Sequence, residues 1–315
     1  MKKKKLLFVL NPFSGKGEIK NKLLEIVDIF VKNEYQVTVH TTQAPQDAMK
    51  LVKKTAGKYD LVVCSGGDGT LDETVTGMMM REERVPIGYI PAGSTNDFAG
   101  SLKIPKKMDK AAQIAVEGVP FACDIGSFNG DYFVYIAAFG IFTDVSYETS
   151  QGLKNRIGHA AYIIEGMKRL HTIQSYHMRV EYEDQVIEDD FIYGMVSNSN
   201  SAGGFKNITG KNVRLDDGLL EVTLIRMPKN PLELNEIITC LTNMRDNTDL
   251  IYTFKTDNIK FFSEIEIPWT LDGEYGGSHK EVVIEDEKRA VQIMVKSDAK
   301  FLPKPEEKES IGQIV

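Results

Sequence analysis

Two textures follow one another along the chain. In the first part, short apolar runs alternate with stretches of helical periodicity. The runs predict strands at Lys5–Leu10, Gln36–Thr41, Tyr59–Ser65 and Val85–Ile90, and the stretches between them predict helices at Glu18–Lys32, Gln46–Thr55 and Leu71–Met80. A β-α-β-α-β order of this kind implies an α/β layer built on a parallel sheet. Near Asp124 the texture changes to short segments rich in Phe, Tyr and Val: Asp131–Ala137, Met178–Tyr182, Phe191–Ser197, Leu219–Ile225, Asn258–Phe262, Glu264–Pro268 and Glu281–Glu285. Helical stretches at about Leu153–Leu170 and Pro231–Met244 interrupt them. The pattern predicts two domains: residues 1–125 with 300–315, and a mainly β domain over 126–299. No internal repeat is evident.

The run Leu61-Val62-Val63-Cys64 reads as a buried parallel strand, and Gly66-Gly67-Asp68-Gly69-Thr70 cannot continue it. The glycines let the backbone approach a ligand, and Thr70 can cap a helix whose first amides face that ligand, which describes a phosphate site. Asp68 inside such a loop would repel a bare phosphate, so it suits a site where Mg²⁺ accompanies a nucleotide. Asn11 to Gly17 forms a second glycine-punctuated loop, without the spacing of a Walker loop. Pro91 to Phe98 forms a third, in which Ser94 or Thr95 with Asn96 or Asp97 is equally a helix cap. In a parallel sheet these loops share the carboxyl edge. Further on, Asp217-Gly218 and Asp272-Gly273-Glu274 place carboxylates at glycine turns. Either is read as a hairpin signal; alternatively, Gly273 lets Asp272 and Glu274 point into one cleft, where a carboxylate could orient or deprotonate a hydroxyl.

Composition narrows the function classes. The 315 residues allow two domains with cores of their own, and no apolar run approaches the roughly 20 residues that span a bilayer. The charged N-terminus before Leu6–Leu10 mimics a signal peptide, but Asn11-Pro12 stops the run after five residues. Lys and Arg number 38 against 45 Asp and Glu, a net charge of −7, which excludes a general nucleic-acid binder. Cys64, Cys123 and Cys240 are far apart and odd in number, so they suggest neither a disulfide framework nor a zinc pattern, and a reducing cytoplasm is expected. His40, His159, His171, His177 and His279 lack metal-ligand spacing.

Five motifs in order carry a resemblance. Asn-Pro-x-Ser-Gly at Asn11–Gly15, Gly-Gly-Asp-Gly-Thr at Gly66–Thr70, Gly-Ser-Thr-Asn-Asp-Phe at Gly93–Phe98, Leu-Asp-Asp-Gly at Leu215–Gly218 and Leu-Asp-Gly-Glu at Leu271–Glu274 together resemble the soluble bacterial diacylglycerol kinases. Val145–Thr149 and Asn198–Phe205 also look like that subgroup. The chain departs from the family in having Ser94-Thr95 where Gly-Thr usually precedes Asn-Asp, and Asp72 where Asn is usual.

The resemblance implies a Rossmann-like nucleotide-binding domain of the NAD kinase and diacylglycerol kinase type, a β-sandwich domain, and ATP in the cleft between them. It places Asn11, Ser14, Gly15, Thr42, Gly66, Gly67, Asp68, Gly69, Thr70, Leu71, Asp72, Ser94 and Asn96 against the nucleotide. Asp68 and Asp97 would organise catalytic Mg²⁺, and Asp217 with main-chain oxygens of Arg214 and Leu219 would hold a structural Mg²⁺. Asp272 or Glu274 would be the base, with Asp272 nearest the hydroxyl and Glu274 tying it to the metal network. The implied reaction is ATP-dependent phosphorylation of the 3-hydroxyl of 1,2-diacylglycerol to phosphatidic acid. The alternatives are a related lipid kinase acting on a sphingoid base, ceramide or phosphatidylglycerol, and a catalytically silent lipid or nucleotide sensor. An NAD kinase leaves Asp217 and Asp272 without a role. A lipid substrate implies transient contact with the inner face of the membrane, for which Lys103, Lys106, Lys107, Lys110, Lys154, Arg156, Lys168 and Arg169 are candidate contacts. The family implies a cytoplasmic homodimer.

Overall fold

A computed structural model describes residues 3–141, 174–199, 201–202, 205–206, 213–243 and 248–299. The chain divides into two compact units, Met1–Cys123 with Arg289–Val315, and Asp124–Lys288. The second division lies earlier than the expected 299/300, because one long strand carries the chain from the second unit back into the first.

The first unit is built on parallel strands β1 (Lys4–Leu10), β2 (Tyr35–Thr41), β3 (Leu61–Gly66) and β4 (Ile87–Pro91), in the order β2-β1-β3-β4. Register runs Leu10↔Ser65 and Gly66↔Pro91, so β1, β3 and β4 end side by side. A final strand, β15 (Glu274–Val295), joins the β4 edge through Ile293↔Ile87. Apart from the first two residues of β1, the three inner strands are buried throughout, which explains their continuous apolar runs; β2 is an outer strand and alternates.

The helices cover the sheet with apolar stripes. Helix α1 (Ile19–Lys32) buries Ile19, Ile26 and Phe30, and Phe30 meets Phe8 edge to face at 5.4 Å. Helix α2 (Asp47–Thr55) packs on α3 (Asp68–Met79), with α4 (Asp97–Ser101) and α5 (Met108–Glu117) following. Helix α3 starts three residues before the predicted Leu71. Gly67 stands at its N-cap and Thr70 lies inside its first turn, so Thr70 does not cap it. Of the Met78-Met79-Met80 run, expected to pack in the core, Met78 and Met79 are buried and Met80 is 41% exposed.

The second unit is antiparallel. Its strands are β5 (Val119–Phe128, which enters from the first unit), β6 (Asp131–Phe133), β7 (Ile136–Gly140), β8 (Tyr176–Tyr182), β9 (Gln185–Ser197), β10 (Ser201–Ala202), β11 (Phe205–Lys206), β12 (Leu220–Arg226), β13 (Ile251–Thr256) and β14 (Asn258–Leu271), then β15. Helix α6 (Pro231–Asn243) joins β12 to β13. The order is β13-β12-β9-β7-β14-β15. Strand β8 pairs with Gln185–Phe191 of β9 and with Lys260–Phe262 of β14, whereas β7 pairs further along both, so β7 and β8 lie end to end in one slot. Trp269, the chain's single tryptophan, is buried between Phe128, Phe139 and Phe261 at 5.3, 4.8 and 5.1 Å.

Several predicted strands merge or split. Asn258–Phe262 and Glu264–Pro268 are one strand, kinked where its register shifts between Phe262 and Ile267. Glu281–Glu285 is the middle of the 22-residue β15, and Asp131–Ala137 divides into β6 and β7. The predicted helix over residues 153–170, the segment 145–149, and Lys154, Arg156, Lys168 and Arg169 lie outside the described residues.

Candidate active site

In the first unit three loops meet at the carboxyl edge of the sheet. The first, after β1, is tied to the second by the Asn11 N–H donating to Ser65 O at 2.9 Å and by Ser14 Oγ accepting the Gly67 N–H at 3.3 Å. Asn11 Oδ1 accepts the Phe13 N–H at 2.9 Å and shapes the turn. The third loop, after β4, donates the Ala92 N–H to Gly66 O at 2.7 Å. Glycine is required where these loops touch. A Cβ on Gly15, whose φ is +55°, would lie 2.2 Å from Ala92 O, and one on Gly93 would lie 2.6 Å from Gly67 Cα. The three loops are thereby held backbone against backbone at this edge of the sheet.

Two carboxylates stand at this junction. Asp68 opens α3 and Asp97 opens α4, and the Asn96 N–H donates to Asp68 Oδ2 at 2.9 Å. Asn96, at φ 55°, fixes the third loop by bonding both main-chain groups of Gly93, and the Tyr89 hydroxyl reaches Asn96 Oδ1 and Gly66 O, each at 3.2 Å. Burial and the neighbouring Asp97 push the Asp68 carboxyl above its ordinary range. Asp68 Oδ1 is shielded from solvent and accepts no hydrogen bond. A shielded oxygen beside a second carboxylate fits a hard cation such as Mg²⁺.

The remaining predicted nucleotide contacts are spread around this point. Gly69, Thr70, Leu71 and Asp72 lie in the first turn and a half of α3, with Thr70 and Leu71 buried. Ser94 is exposed on the third loop. Thr42 lies further out, beyond the end of β2, its N–H bonded to Leu10 O at 2.9 Å. Lys103, Lys106, Lys107 and Lys110 are exposed between α4 and the first turn of α5.

In the second unit Asp272 and Gly273 both take positive φ, 51° and 86°, and make a two-residue hairpin joining β14 to β15 with Leu271 opposite Glu274. The hairpin reading is therefore correct for this turn. Asp272 is 6% exposed. Its carboxylate accepts the N–H groups of Val134 at 2.6 Å, Tyr135 at 3.0 Å and Ile136 at 2.9 Å. Glu274 is exposed. The two carboxylates thus do not share one environment as the sequence suggested, because the positive-φ turn folds Asp272 inward onto the amides of residues 134–136.

The Asp217 turn brings together residues that sequence reading missed. Asp217 Oδ1 accepts the Leu219 N–H at 3.3 Å, and Lys255 Nζ lies 3.6 Å from Asp217 and 2.8 Å from Glu221. Buried Asp124 accepts the Gly218 N–H at 2.7 Å. Burial pushes Glu221 up to about 7 despite Lys255; burial together with Asp124 and Asp217 pushes Asp286 up to about 7. Arg214 is exposed and pairs with Asp216 at 3.5 Å. Among the described residues no three His, Cys, Asp or Glu side chains gather as a metal cage. The donor set implied here is one carboxylate with two main-chain oxygens, which needs no such cage, and the crowded negative charge around Asp217 is what a cation would relieve. A buried Asp in the apolar run Cys123-Asp124-Ile125 was a signal available in the sequence; nothing local marked Glu221, Lys255 or Asp286.

Residues 5–128 match the diacylglycerol kinase catalytic domain, and residues 137–295 match the YegS C-terminal NAD kinase beta sandwich-like domain. The chain is 34% identical over 278 residues to a diacylglycerol kinase of Staphylococcus carnosus (strain TM300), an alignment covering 87% of this chain and 90% of the relative. It belongs to the diacylglycerol kinase family. A diacylglycerol kinase of Bacillus subtilis (strain 168) is 32% identical, covering 87% and 91%. The fold of this chain matches the crystal structure of a diacylglycerol kinase from Bacillus anthracis str. Sterne with TM-score 0.72 and 24% identity, over 94% and 98% of the two chains. Family membership makes the chain a lipid kinase of two-domain architecture. Among the described residues no helix is long and apolar enough to cross a membrane.

Proposed function

We propose that this lipid kinase transfers the γ-phosphoryl group of ATP to the 3-hydroxyl of 1,2-diacylglycerol. The observation that supports this reading is the Asp68–Asp97 pair, one oxygen of it shielded and without a hydrogen-bond donor, at the meeting point of three glycine-bearing loops. The glycine loop and the first amides of α3 would receive the phosphates. Mg²⁺ held by Asp68 and Asp97 would neutralise phosphate oxygens, and a second Mg²⁺ at Asp217 with main-chain oxygens of Arg214 and Leu219 would brace the second unit.

Asp272 is assigned to the acceptor hydroxyl. Three main-chain amides donate to its carboxylate, which holds the charge at one place and in one orientation. An anion fixed this firmly orients its partner with little reorganisation, and orientation is the main demand in a loose phosphoryl-transfer transition state. The exposed lysines at 103, 106, 107 and 110 would meet the membrane surface.

The test is transfer of labelled phosphate from ATP and Mg²⁺ to a panel of lipids in mixed micelles. Selective labelling of diacylglycerol is expected. Labelling of a sphingoid base, ceramide or phosphatidylglycerol instead would replace the substrate, and ATP binding without transfer to any lipid would favour a sensor.

A further inference from the structure

Helix α2 begins without a capping side chain of its own. Gln46, at its N-cap, has φ 65° and makes no side-chain cap bond. The exposed amides are met from another helix: Glu73 of α3 accepts the Gln46 N–H at 2.6 Å through Oε1 and the Ala48 N–H at 3.1 Å through Oε2. A carboxylate in this place gains both charge-assisted hydrogen bonds and the helix dipole. The two helices are also in close contact, since a Cβ on Gly77 of α3 would lie 2.5 Å from Met49 O of α2.

The loop entering α2 is fastened at its other end to the sheet. The Thr42 N–H bonds Leu10 O at 2.9 Å, the Gln43 side-chain amide donates to Thr41 O at 2.9 Å, and Asp47 Oδ2 accepts the Gln43 N–H at 2.8 Å. Helix α3 therefore carries Asp68 on its first residue and, on its second turn, the group that sets the loop containing Thr42. Strand spacing of about 4.8 Å puts β2 about 10 Å from β3 in the sheet, with β1 between them. A nucleotide whose phosphates lie at the glycine loop reaches that distance with its nucleoside end.

We propose that Glu73 is a positioning residue for the nucleoside end of the nucleotide: it holds the Thr42 loop at a fixed distance from the glycine loop through the N-terminus of α2. The inference rests on the nucleotide reading given above. It requires that loss of the clamp weaken ATP binding while leaving recognition of the phosphates alone.

The experiment is calorimetric titration of the full chain, in Mg²⁺, with ATP and separately with inorganic tripolyphosphate. It compares wild type with Glu73→Gln, which puts an amide group in place of one acceptor, and with Gly77→Ala, which displaces α2 without touching Glu73. Both variants are expected to weaken ATP of order tenfold while tripolyphosphate affinity stays at the wild-type value; kcat at saturating ATP is retained. Equal weakening of both ligands, or no weakening of ATP in either variant, would overturn the proposal. A wild-type chain that binds neither ligand would overturn the nucleotide reading itself and this inference with it.

Discussion

Asp68 Oδ2 accepts the main-chain N–H of Asn96 at 2.9 Å, so the carboxylate of one phosphate-side loop is held by the backbone of the next. The side chain is fixed on one oxygen and unbonded on the other. Replacing it with Asn keeps an acceptor for Asn96 and removes the charge. Asp68→Asn should therefore lower kcat by about 10²–10³ without lowering the melting temperature, since a carboxyl raised by burial contributes no stability when ionised. Steady-state kinetics and a thermal melt on the same preparation check this; a melting temperature well below wild type would contradict it.

The Asp272 turn predicts a different balance. Asp272→Ala leaves the amides of Val134, Tyr135 and Ile136 without their acceptor and should cost about 3 kcal/mol or more. Glu274→Gln, at an exposed site, should leave stability unchanged. Trp269 lies in the core of the same unit, so its fluorescence follows this unfolding directly. Asp272→Asn should reduce phosphoryl transfer more than Glu274→Gln does, and the reverse order would give the hydroxyl to Glu274.

Asp286 supplies a pH signature. Its folded-state pKa is raised to about 7 from an ordinary 3.8, so its favourable, protonated contribution is complete below about 4 and is lost as pH rises through 7. Above that range the wild type carries a charge whose two oxygens are shielded and have no hydrogen-bond donor. Asp286→Asn should melt a few degrees higher than wild type at pH 8, and the difference should shrink as pH falls below 7 and vanish only below about pH 4. Adding Mg²⁺ at pH 8 should narrow the gap by stabilising the wild type. Equal melting temperatures at pH 8 without Mg²⁺ would refute the assignment.

Gly15→Ala tests the loop junction. The substitution combines a left-handed φ of +55° with a 2.2 Å approach to Ala92 O, so the first and third loops must separate. ATP affinity should fall about tenfold or more while the near-ultraviolet signal of Trp269 is unchanged. Unaltered ATP binding would remove the first loop from the nucleotide site.

How much of this was legible in the sequence depended on the range of the interactions. The strands Leu6–Leu10 and Leu61–Cys64 announced themselves because parallel strands covered on both faces need unbroken apolar runs. The start of α3 did not, because glycine and threonine are poor helix formers and tertiary contacts set the boundary: Thr70 packs so closely on Gly66 that a Cβ there would meet its hydroxyl at 2.2 Å. Strand β15 was read at a fraction of its length, since its exposed, charged positions mask the alternation. The motif residues Asp68, Asn96, Asp97 and Asp272 were all named in advance, but the amides that hold Asp272 lie some 136 to 138 positions away. Glu73 was missed for the same reason: its partners are on another helix.

Strands β5 and β15 carry the chain out of the first unit and back again, and Ile293 pairs with Ile87 only after the whole second unit has intervened. During synthesis, then, the parallel sheet must wait with the β4 edge bare while residues 124–288 leave the ribosome. The antiparallel unit has all its strands in hand first, and the sheet that carries the Asp68 loop gains its last strand afterwards.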